Sequence, residues 1–79
     1  MADDGAQGDD VRGRLRDALI GIMIDKVRED RFPSTTMMDL IEQNLDEDQL
    51  DAYGQVLLDK IAEDRFPSHD MIKRLVEIV

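Results

Sequence analysis

Cysteine and tryptophan are absent from this 79-residue chain, and proline occurs only twice, phenylalanine twice and tyrosine once. Without cysteine there is no disulfide framework, no thiol nucleophile and no cysteine-based zinc site, and the cytoplasm is the default expected location. Long hydrophobic runs are also missing. The run Leu19-Ile20-Gly21-Ile22-Met23-Ile24 carries a glycine and falls far short of the ~18 apolar residues that a membrane helix needs. Membrane partners are therefore not expected. His69 is the single histidine, so it has no second imidazole with which to hold a metal or relay a proton. The five glycines are scattered rather than gathered into a phosphate-binding loop. These absences predict a protein that is not an enzyme and has no catalytic, cofactor-binding or metal-ligating residues.

Lysine is scarce as well, with three residues against seven arginines, while fourteen of the nineteen acidic residues are aspartate. The charge is unevenly placed. Residues 1–10 carry −4, residues 11–31 carry +2 and residues 32–79 carry −7, for a formal net charge of −9. A field of that sign repels phosphate backbones and anionic lipid, which disfavours direct nucleic-acid binding, and it attracts a basic partner. The acidity also serves solubility.

Apolar spacing predicts an all-α, four-helix domain over residues 10–79, preceded by a disordered acidic tail over 1–9. In the first helix, ending near Asp30, Val11, Leu15, Ala18, Leu19, Ile22 and Met23 recur at three- and four-residue steps. Ile20, Ile24 and Val27 widen that stripe almost to the full circumference, as expected of a central helix or a dimer seam. Gly21 and Gly54 fall inside predicted helices, where glycine costs about 1 kcal/mol relative to alanine. A close helix crossing is the expected reason.

An internal repeat at an offset of 34 residues organises the chain. Residues 25–38 align without gaps to residues 59–72, and nine of the fourteen pairs are identical. The likeness continues upstream as Ile22-Met23-Ile24 over Val56-Leu57-Leu58. Each copy reads as helix, tight turn, helix. Pro33 and Pro67 disfavour helical backbone at Phe32 and Phe66, and Ser34 and Ser68 then stand where a helix cap is needed. Asp46-Glu47-Asp48-Gln49 has the spacing of a capping box at the start of the third helix. The expected product is two duplicated αα-hairpins, long-short-long-short, with repeat units 10–45 and 46–79 related by a pseudo-twofold axis. A 34-residue period also belongs to tetratricopeptide repeats, but the tryptophan, Leu-Gly and tyrosine positions of that pattern are missing and two copies are too few.

The segment Glu-Asp-Arg-Phe-Pro-Ser occurs twice, at 29–34 and 63–68. Arg31, Phe32, Arg65 and Phe66 are candidate protein contacts, because arginine and aromatic anchors dominate interface energetics. The competing expectation is that Phe32 and Phe66 plug the open hairpin ends while Arg31 and Arg65 pair with acids of the preceding turn. Calcium is not expected around Asp46, since an EF-hand loop counted from there places Leu50, Asp51 and Leu57 where an oxygen ligand, glycine and glutamate are required.

Length, acidity, helix count and a serine at the start of helix two resemble acyl carrier proteins. That resemblance implies a phosphopantetheine on Ser34. The Asp-Ser-Leu motif and long first loop of those proteins are absent here, and the serine recurs at Ser68, so Ser34, Asp46 and Ser68 are read as helix caps. The expected function is that of a small acidic interaction module, an adaptor or inhibitor that binds another protein or a second copy as a homodimer. The alternative is an acidic DNA mimic or transcription-related regulator that occupies a basic nucleic-acid-binding protein.

Overall fold

The computed structural model describes residues 3–66 and 68–79, with side chains from residue 10 onward. It contains four helices: α1 (Asp3–Glu29), α2 (Thr35–Asn44), α3 (Glu47–Glu63) and α4 (His69–Ile78). The long-short-long-short order follows from the stops written into the sequence. Asp30 N–H closes on Lys26 O at 3.0 Å, and the chain then leaves α1 through Arg31 and Phe32 before Pro33. Pro67, the expected second stop, lies outside the described residues, and α3 ends with Asp64 N–H on Lys60 O at 3.2 Å.

Each later helix opens on a side-chain cap. Ser34 Oγ accepts from Met37 N at 3.3 Å, Asp46 Oδ1 from Gln49 N at 3.0 Å and Ser68 Oγ from Met71 N at 3.4 Å. All three residues have extended backbone, the conformation that aims a cap side chain at the free N–H groups of the first turn. The capping box at Asp46 is only half made. Gln49, its reciprocal member, donates from Nε2 to Asp17 O of α1 at 2.8 Å instead.

The start of α1 differs from expectation. Met1 and Ala2 of the predicted tail lie outside the described residues, but the backbone is helical from Asp3 rather than from Asp9 or Asp10. No proline interrupts 3–10, and extending an established helix adds a hydrogen bond for each residue fixed.

A single core joins the four helices. From α1 and α2 it takes Ile20, Ile24, Val27, Met38 and Ile41, and from α3 and α4 Tyr53, Val56, Leu57 and Met71. Val27, Ile41, Tyr53 and Leu57 are fully buried, and burial of side chains of this size contributes roughly 1.5–3 kcal/mol each. Most of the stripe expected to lead α1 stays outside this core: Leu15, Leu19 and Ile22 are 65%, 55% and 55% exposed, and of its members Met23 packs against the core. The buried face is the one expected only to widen it. α2 and α3 pack along one side of α1 and cover its Ile20, Ile24, Val27 face.

The two halves therefore bury different positions. Leu19 and Ile22 stand 34 residues before the buried Tyr53 and Val56, and the half-exposed Leu58 stands 34 after the buried Ile24. A twofold axis would bury matching positions on both halves, so the expected pseudo-twofold arrangement is not the one adopted. The close-crossing reading of Gly21 also fails, since a Cβ there meets nothing within 4 Å; at Gly54 it meets only Leu75 Cδ1 at 3.9 Å, an ordinary contact.

Candidate protein-contact site

The turns after α1 and α3 lie together at one end of the molecule. Arg31, Phe32 and Pro33 from the first, and Asp64, Phe66 and Ser68 from the second, line a depression of about 280 Å³ with Met38 and Met71. Proximity follows from the helix ends. Lys60 of α3 donates from Nζ to Arg28 O at 3.2 Å and to Asp30 O at 2.6 Å, tying the last turn of α1 to the last turn of α3. A cation there also opposes the negative end of the α1 dipole.

Neither phenylalanine plugs a hairpin end. Phe32 and Phe66 are each 86% exposed. Both rings stand in the bends that follow the ends of α1 and α3, off the helix axes and outside the buried core. Arg31 lies over the Phe32 ring, 5.7 Å from its centroid, a cation–π arrangement worth about 0.5–1 kcal/mol at an exposed site. Neither Arg31 nor Arg65 forms an ion pair among the described residues, in place of the expected pairing with the preceding acids.

Sequence reasoning did not find the polar cluster behind this end. Arg74 of α4 is buried, donating from Nη1 to Asp39 Oδ1 at 2.8 Å and Glu42 Oε2 at 3.0 Å, and from Nε to Asp70 Oδ2 at 2.8 Å. Tyr53 OH of α3 donates to the same Glu42 oxygen at 2.6 Å. Burial first, and then the Glu42 carboxylate that accepts its proton, push the Tyr53 phenol well above its ordinary value. Burial alone lowers Arg74, but the hydrogen bonds to Asp70, Asp39 and Glu42 outweigh it and hold the guanidinium firmly charged. The available signal was a lone arginine three residues after Met71 and four before Ile78, on the apolar stripe of α4.

Of the remaining candidates, His69 is exposed in the first turn of α4. Among the described residues no group of His, Asp and Glu is arranged to hold a metal ion, and no helix is long and apolar enough to cross a membrane. The Asp17 carboxyl is raised, first by desolvation and then by a hydrogen bond shared with Asp46 and the charges of Asp46 and Asp48.

Comparison with known proteins adds no relative: no family model matches the chain, no curated protein matches it and no solved structure matches it.

Proposed function

We propose that this chain is a small non-enzymatic interaction module, built from two duplicated αα-hairpins, that binds another protein through its paired turns. The observation that carries the reading is the pair of phenylalanines, Phe32 and Phe66, each 86% exposed around one depression. Aromatic rings held out in water, with arginine beside them, are the kind of group that supplies interface hot spots. Their exposure also means that the fold does not depend on them, which separates a binding role from a packing one. Met38 and Met71 at the base of the depression give it a surface that adapts to an inserted apolar side chain.

A pull-down from nuclease-treated lysate, eluted in salt steps, tests this reading. A partner that survives high salt and is lost with Phe32→Ala and Phe66→Ala together, in a variant with unchanged helix content, supports it. The net charge of −9 favours a second reading, an acidic mimic of DNA. A basic protein that elutes at moderate salt and is displaced by added duplex supports that one instead.

A further inference from the structure

We infer that copies of this chain associate head to tail, the α1–α2 groove of one copy receiving the α3–α4 groove of the next. The duplication is the premise, and the inference concerns faces that the paired turns do not use. Within one chain the two halves meet through non-matching sides: the first half presents Ile20, Ile24 and Ile41, and the second presents Tyr53, Leu57 and Arg74. Each half then has left over the side that the other half uses. The first half leaves a groove of about 290 Å³ containing Leu19, Met23 and Leu40, the 34-residue equivalents of Tyr53, Leu57 and Arg74. The second half leaves one of about 330 Å³ containing Gly54, Leu58 and Leu75, the equivalents of Ile20, Ile24 and Ile41. The chain thus carries both the socket and the plug of its own internal contact, unpartnered and on separate faces.

Charge and substitution pattern point to a second copy as the occupant. Arg16 edges the first groove, and Glu47 and Asp51 edge the second. Segment 11–31 carries +2, whereas 46–64 holds seven acids and one base. Across the internal contact Arg74 meets Glu42, with Tyr53 on the same carboxylate. Their equivalents are Leu40, Val76 and Leu19, which are 46%, 66% and 55% exposed. A polar set inside has become an apolar set outside, on both sides of the contact at once, as an interface requires and a solvated surface does not. Lys26 matches Lys60, and in the same geometry it would reach the neighbour's Ala62 and Asp64 carbonyls as Lys60 reaches Arg28 and Asp30.

Because the two grooves differ, the contact is heterologous, and blocking either one blocks every copy. Sedimentation of the full chain over a concentration series is expected to show mass rising beyond the monomer. Leu19→Glu and Leu58→Glu, both at half-exposed positions that leave the core intact, are each expected to be monomeric alone. Mixed, they present one good groove of each kind and are expected to give a one-to-one dimer of twice the monomer mass and nothing larger. Ile22→Glu and Val76→Glu provide an independent pair, with helix content checked by circular dichroism. A wild-type chain that stays monomeric at high concentration overturns the inference. So does a mixture that stays monomeric, or a single variant that retains a dimer, which would mean one face pairing with itself. The Phe32→Ala and Phe66→Ala double variant is expected to associate like wild type, so loss of the paired-turn reading leaves this one standing.

Discussion

Arg74 of α4 and Glu42 of α2 are paired at 3.0 Å across the two halves of the molecule, and their 34-residue equivalents, Leu40 and Val76, are both exposed aliphatics. The pair is mostly buried, Arg74 more than Glu42. Replacing one member leaves a desolvated charge without its partner, whereas replacing the set with apolar groups of similar shape is often neutral. Arg74→Leu is therefore expected to destabilise by about 2–3 kcal/mol, below the usual cost of breaking a buried pair because Asp39 and Asp70 are half exposed. Adding Glu42→Val and Tyr53→Leu, which copies the Leu40, Val76, Leu19 set, is expected to recover most of that loss in denaturant unfolding. Additive losses across the three substitutions would show that the cluster does not act as a unit.

Tyr53 offers an optical readout of the same cluster, since it is the single tyrosine and there is no tryptophan. Its phenol is raised above the ordinary 10.0, so the folded state holds the proton where the unfolded chain releases it. The associated stability is full below pH 10 and is lost as pH climbs toward the folded value. An alkaline titration of phenolate absorbance is expected to show no ionisation through pH 10 while helicity persists, then a rise that coincides with unfolding. Ionisation near 10 in a folded chain would place Tyr53 in contact with solvent.

Helix number and order were legible because they depend on local signals. Proline and the extended residue before it stop a helix wherever they occur, and Ser34, Asp46 and Ser68 carry the acceptor that a helix start needs. Which face of α1 is buried was not legible. Val11, Leu15, Leu19 and Ile22 form as good a stripe as Ile20, Ile24 and Val27, and periodicity has no way to rank two apolar faces on one helix. The choice is made by what α2 and α3 can reach. Arg74 was hidden for a related reason: its charge is tolerated on an apolar stripe only because Glu42 arrives from another helix and Asp70 from one turn back. The exposure of Phe32 and Phe66 depends on the path of the turn beyond the helix end, which composition does not fix.

Asp17 and Asp46 place two carboxylates together where α1 meets the start of α3, with Asp48 close by, and the Asp17 carboxyl is raised above 3.8 as a result. A raised acid holds its proton more tightly in the folded state, so its contribution to stability is full below pH 3.8 and is lost as pH rises through the folded value. Asp17→Asn removes the charge that forms there and leaves Asp17 O, the acceptor for Gln49, in place. The variant is expected to melt higher than wild type at pH 7, and the difference is expected to vanish below about pH 3.8. An equal difference at both pH values would mean that the amide acts by packing or hydrogen bonding rather than by removing charge.

Gly21 stands inside α1 with nothing within 4 Å of where a Cβ would lie. A glycine at such a position holds no helix crossing together and only adds backbone freedom to the unfolded chain, so the helix carries its full penalty of about 1 kcal/mol relative to alanine. Gly21→Ala is expected to stabilise by about that amount and to raise the melting midpoint by roughly 4–8 °C for a domain of this size. A close approach to a neighbouring helix predicts the opposite sign, because the added methyl would push the two backbones apart. Thermal unfolding followed by circular dichroism at low protein concentration separates the two. Repeating the measurement at high concentration then reads the assembled chain: an unchanged gain means the position stays open there, and a lost or reversed gain means that a neighbouring copy packs against Gly21.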